Sequence, residues 1–81
     1  MPLIRLDLTG LNCPLPALRT RKALKSLAPG DRIEVRCSDP LAAIDIPHLV
    51  ATTGDRLHGV EREEGGTVFL IEKSARDGAA R

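Results

Sequence analysis

The chain predicts an α/β two-layer sandwich of order β-α-β-α-β-β, with both helices on one face of a four-stranded mixed sheet. Three observations carry this: apolar residues alternate around residues 3–8 and 33–37, two proline-marked turns open helical patterns, and a glycine turn joins two final strand-like runs.

Ile4, Leu6 and Leu8 alternate with Arg5 and Asp7, so residues 3–8 read as a strand with one wet face. From Pro14 to Ala28 the period changes. Ala17, Thr20, Leu24, Leu27 and Ala28 share one side of a helical wheel, Pro14 suits the first helical position, and Pro29-Gly30 ends the helix. Ile33, Val35 and Cys37 then alternate with Arg32, Glu34 and Arg36 as a second half-buried strand. Ser38-Asp39-Pro40 repeats the cap signal, and Ala42, Ile46, Leu49, Val50 and Thr53 form a second stripe closed by Gly54. Pro47 interrupts that stripe, so residues 40–44 are expected as one short turn, with Asp45 capping a helix that begins beside Pro47. Residues 56–63 and 67–73 read as strands joined at Glu64-Gly65-Gly66. One domain is expected over residues 1–74, and the small, polar residues 75–81 are expected to be a disordered tail.

Composition narrows the function. Eighty-one residues bury only roughly 60% of their unfolded surface. Phe69 is the only aromatic, so the core must be aliphatic. Twelve Lys and Arg against eleven Asp and Glu give a net charge of +1, which supplies no global field for nucleic acid or anionic membrane. The N-terminus has no signal-peptide pattern, and no run approaches the ~18 apolar residues of a membrane span, so a cytoplasmic protein is expected. Two cysteines without a C-x-x-C pair argue against a disulfide scaffold and a zinc site, and His48 and His58 read as lone surface residues. No metal or cofactor is expected.

Cys13, in Asn12-Cys13-Pro14-Leu15-Pro16, is the candidate for chemistry. A right-handed crossover makes the first two strands parallel and brings both helix starts, at Cys13 and at Ser38-Asp39, to one carboxyl edge of the sheet. Unsatisfied N–H groups and the helix dipole there would favour a thiolate, so the Cys13 pKa is expected below that of an ordinary thiol. The alternative is that Cys13 is a small core residue. Asp39 and Asp45 read as helix N-caps, or Asp39 as a residue that acts on the nearby sulfur.

The run Asp7-Leu8-Thr9-Gly10-Leu11-Asn12-Cys13-Pro14-Leu15-Pro16 resembles the D-x-x-G-x-x-C-P-x-P signature of the TusA/SirA family of small sulfur carriers. Arg21-Lys22, Pro29-Gly30, Ser38-Asp39-Pro40 and Asp45-Ile46-Pro47 follow in the family's order, so the likeness spans roughly residues 5–73. It implies strand order 1-2-4-3, as in the C-terminal domain of a bacterial translation initiation factor. It also implies a persulfide relay in which Cys13 takes sulfane sulfur from a cysteine desulfurase or rhodanese-type donor and passes it to an acceptor protein for tRNA thiolation, cofactor synthesis or sulfur oxidation. Gly10, Pro14, Pro16 and Asp39 would shape the site. The protein would act as a sulfurtransferase-type carrier and a monomer, holding sulfur covalently and no other cofactor.

Leu15, Leu18, Arg19, Lys22 and Lys25 fall away from the core stripe of the first helix and form a candidate docking face. Two other readings stand beside the carrier. An RNA-binding module would use Arg19, Arg21, Lys22 and Lys25 but lacks aromatic residues for stacking, so no stable nucleic-acid binding is expected. A dithiol redox protein would pair Cys13 with Cys37, although Cys37 shares the inward face of its strand with Ile33 and Val35.

Overall fold

Residues 3–74 are described by a computed structural model, so the tail expected at 75–81 lies outside the described residues. The elements are β1 (Leu3–Asp7), α1 (Leu15–Lys25), β2 (Arg32–Cys37), α2 (Ala42–Thr53), β3 (Arg56–Glu63) and β4 (Gly66–Glu72). The sheet order is β1-β2-β4-β3, with β1 parallel to β2 and the other pairs antiparallel. Order, mixed sheet and element sequence all follow the expectation.

Register explains the two layers. Ile33, Val35 and Cys37 stand opposite Ile71, Phe69 and Thr67, so one face of the central strands is almost wholly apolar. Pro16, Thr20 and Leu24 of α1 and Ala42, Ile46 and Val50 of α2 are buried, and the apolar residues among them pack with that face into the core. The Thr20 hydroxyl is buried there without a hydrogen-bond partner. The opposite face is charged: Arg5 pairs with Glu34 at 3.9 Å, Arg32 and His58 reach Glu72 at 3.4 and 2.5 Å, and Arg36 pairs with Glu63. Exposed, solvent-screened pairs of this kind contribute little to stability, so the face is a solvated one rather than a second core.

Strand ends shift by a single residue, β1 stopping at Asp7 and β4 running from Gly66 to Glu72, and the helices differ more from the sequence reading. α1 begins at Leu15, with Pro14 in the cap position and Pro16 within the first turn. It stops at Lys25 because the Ser26 N–H and hydroxyl both donate to the Ala23 carbonyl, at 3.1 and 2.8 Å, turning the chain early. Leu27 stays in the core, but Ala28 is exposed. Most plainly, α2 runs unbroken from Ala42 to Thr53 with Pro47 inside it, so Asp45 is not a cap. Pro47 is only the sixth helical residue and forfeits one bond, to the Ala43 carbonyl. Ala42 and Ile46, on either side of that gap, are 1% and 0% exposed, and their burial holds the first turn in line.

The last hairpin turns at Glu64-Gly65, where Gly65 has φ 86°. Gly66 is required for a different reason: a Cβ there would overlap the Cys37 carbonyl oxygen. On β3 the pairing slips between Leu57 and Gly59, leaving His58 as an extra residue in a bulge.

Candidate functional site

The β1–α1 connection places Cys13. Asp7 accepts the Thr9 N–H and hydroxyl at 3.0 and 2.7 Å, which closes the turn after β1 and holds the Asp7 carboxyl below its usual pKa. Gly10 follows with φ 88°, a conformation that favours glycine, and its N–H donates to the Ser38 hydroxyl at 2.8 Å. Leu8 inserts into the core at 3% exposure, so the loop is pinned by packing as well as by hydrogen bonds. The Cys13–Pro14 peptide is cis.

Ser38, Asp39 and Asp45 approach from the β2–α2 side, as the parallel arrangement of β1 and β2 requires. Asp39 is held at both oxygens: one accepts the Leu41 N–H at 3.0 Å, the other the Cys13 N–H at 2.5 Å. It is not the N-cap expected of it, since Leu41 holds that position without a side-chain cap; Asp39 instead braces the turn before α2 and holds the cysteine backbone directly. Asp45 accepts a hydrogen bond from Cys13 Sγ at 2.8 Å. Both helix starts do converge on one edge, and the sequence-predicted Gly10, Cys13, Pro14, Pro16 and Asp39 are gathered there. Pro16 also serves the core, being buried in it.

The electrostatics reverse the expectation. Cys13 is exposed, yet its pKa is raised, first by the hydrogen bond to Asp45, then by desolvation and by the charges of Asp45 and Asp39. The helix start is also a weaker anion site than its dipole alone suggests. Pro14 and Pro16 have no N–H, and the Leu15 N–H is spent on the Asn12 carbonyl at 2.9 Å. Cys37, the second free thiol, is 1% exposed and pushed up to about 11 chiefly by burial.

Leu15 and Leu18 are 41% and 54% exposed, and Arg19, Lys22 and Lys25 are exposed beside them on α1. Across the edge, Leu41 and Ile44 are 51% and 68% exposed at the start of α2, between the two aspartates in sequence. Sequence reasoning overlooked both, along with Asp45 as the sulfur's partner. A signal was present, since Leu41 and Ile44 lie three residues apart and off the Ala42, Ile46, Val50 stripe. Among the described residues no cluster of His, Cys, Asp and Glu could hold a metal ion, and no helix is long and apolar enough to cross a membrane.

Comparison with known proteins places the chain in a family. Residues 4–73 match the family described as Sulfurtransferase TusA. The sulfur carrier protein TusA of Allochromatium vinosum is 41% identical over 69 residues, covering 85% of this chain and 91% of that protein. The protein of the same name from Pseudomonas entomophila is 39% identical over 70 residues, covering 86% and 88%. In fold alone, the chain is similar to the crystal structure of a SirA-like protein from Desulfitobacterium hafniense, with TM-score 0.77, 24% identity and coverage of 88% and 97%. With its Cys-Pro-x-Pro turn seated at the shared edge of two parallel strands, the chain belongs to the TusA family of sulfur carriers.

Proposed function

We propose that the sulfur is carried as a persulfide on Cys13, accepted from a cysteine desulfurase or rhodanese-type donor and handed to an acceptor protein. The observation that carries this reading is an exposed thiol on a turn fixed at its backbone by the Cys13 N–H to Asp39 and Gly10 N–H to Ser38 hydrogen bonds, with the Asp45 carboxylate beside the sulfur. In the loading step, the Cys13 thiolate attacks the terminal sulfur of the donor persulfide. The Sγ–S bond forms, the donor S–S bond breaks, and the donor cysteine leaves as a thiolate that takes up the proton Cys13 gave up. Neither a metal nor an organic cofactor enters this chemistry. A reducing cytoplasm, in which free thiols persist, suits such a carrier.

Cys37 does not serve as a resolving thiol in this reading, because it is buried while Cys13 faces solvent. The docking surface is the face bearing Leu15, Leu18, Arg19, Lys22 and Lys25, extended across the edge by Leu41 and Ile44. Its partner should offer an acidic rim around an apolar pocket. Intact-mass measurement after incubation with a desulfurase and cysteine, or with a rhodanese and thiosulfate, should show one added sulfur, absent in Cys13→Ser. Retained loading in that variant would overturn the assignment. Leu18→Ala should slow transfer to the acceptor more than Lys25→Ala does; equal rates in both variants and the unsubstituted protein would move the interface elsewhere.

A further inference from the structure

The two aspartates at the edge do different things. Asp39 has both oxygens engaged by backbone N–H groups, one from Leu41 and one from Cys13, so it fixes the turn. Asp45 alone contacts the sulfur, 2.8 Å from Sγ. It is half-buried on the unbroken helix α2, with its own N–H bonded to the Leu41 carbonyl at 2.9 Å and the fully buried Ile46 next in the chain. The carboxylate is thus presented to the sulfur by a rigid element, not by a mobile loop. Among the described residues the charges that act on the thiol are both negative, Asp45 from α2 and Asp39 from the β2–α2 loop, and α1 bears its first charge only at Arg19.

We propose that Asp45 sets the direction of sulfur transfer, its carboxylate stabilising the empty Cys13 thiol through the Sγ–H···O hydrogen bond and repelling the anionic terminal sulfur of the loaded form. The inference rests on the carrier reading of Cys13. A persulfide is more acidic than its parent thiol and is charged at neutral pH, so loading exchanges a hydrogen-bonded thiol beside a carboxylate for an anion beside the same carboxylate. One state gains a charge-assisted hydrogen bond, and the other meets like-charge repulsion. The carrier therefore holds its sulfur loosely, and the equilibrium leans toward any acceptor whose site lacks such an anion. The cost falls on capture: the empty thiol is less often ionised, and a docked donor must draw its proton away or screen Asp45.

The exchange between sulfite and thiosulfate measures this bias without a protein acceptor. Bisulfite takes the terminal sulfur of the loaded carrier; an S–S bond forms in thiosulfate, the Sγ–S bond breaks, and the bisulfite proton ends on Sγ. Atoms and charge balance, and no outside oxidant or reductant is needed. At a fixed sulfite-to-thiosulfate ratio, with a catalytic amount of rhodanese to reach equilibrium, intact mass reads the loaded fraction. Asp45→Asn keeps an acceptor oxygen and removes the charge, so its loaded-to-empty ratio should exceed that of the unsubstituted protein by roughly three- to tenfold. On the unloaded proteins, the pH midpoint of Cys13 alkylation should be lower in Asp45→Asn, with about tenfold more thiolate at neutral pH for each unit of the fall. Glu61→Gln, a surface change on β3, should alter neither measurement. If the unsubstituted protein loads normally while Asp45→Asn matches it in ratio, or in midpoint, the role of Asp45 is wrong and the carrier reading survives. If the unsubstituted protein never loads, both fall, whatever the alkylation profile shows.

Discussion

Cys13 and Cys37 are both free thiols whose pKa values lie above the ordinary one, yet they are restrained by opposite means. Cys37 is sealed in the core, where burial penalises its anion and access is closed. Cys13 stands in solvent and is restrained by a neighbouring carboxylate. The difference separates inertness from latency. A buried thiol changes state only when the fold opens, whereas a thiol quieted by a neighbouring charge is released as soon as a partner screens or displaces that charge.

Alkylation of the native protein tests this contrast most severely. A small alkylating reagent should modify Cys13 alone, at a rate that climbs with pH through the alkaline range, and should reach Cys37 only in denaturant; mass mapping reads both. Modification of Cys37 at a comparable native rate would erase the distinction. Next in size is Gly66→Ala, which forces a methyl group onto the Cys37 carbonyl oxygen. Thermal or urea unfolding should show a loss of about 2 kcal/mol or more. A neutral result would mean that the β2–β4 end beside Cys37 is loosely packed.

A smaller effect concerns alkaline pH. Because the folded Cys37 thiol is pushed up to about 11 from 9.0, the unfolded chain loses its proton first as pH rises, and stability should fall between those values by up to about 3 kcal/mol. Cys37→Val should flatten that slope in urea titrations at a series of pH values while leaving sulfur loading intact. The smallest effect lies at the acid end. Thr9 holds the Asp7 carboxyl below its ordinary pKa, so the stabilisation is complete above the ordinary value and is lost as pH falls through the lowered one. Thr9→Val should reduce the acid sensitivity of unfolding slightly; an unchanged acid limb would show that the clasp contributes nothing.

The fold was legible because its signals are local and mutually consistent. Period-two alternation in β2 and the stripe of Ala42, Ile46 and Val50 state where the core lies, and the glycine turn marks the start of β4; β1 alternates too, but at the edge of the sheet it leaves Ile4 39% exposed and Leu6 only partly buried. Pro47 masks the continuity of α2: proline disfavours a helix interior, yet the apolar stripe of Ala42, Ile46 and Val50 keeps its phase straight through it. At the site, Cys13 and its proximity to Asp39 followed from strand order and crossover handedness. The sign of the thiol's shift did not. It depends on a contact between residues 32 positions apart, which no local pattern encodes. One corrective was visible: Pro14 and Pro16 remove donors from the helix start that was expected to stabilise a thiolate.

The bulge at His58 has a consequence for how such a molecule lives among copies of itself. β3 is an outer strand, and one face of the sheet has no covering layer. An uninterrupted border of main-chain donors and acceptors would invite another chain to add itself as a fifth strand. The extra residue at 58 breaks the spacing of that border, while Arg56, Glu61, Arg62 and Glu63 line the same strand with charge. Along the β3 edge an incoming strand therefore finds no continuous register, which discourages edge-to-edge association there.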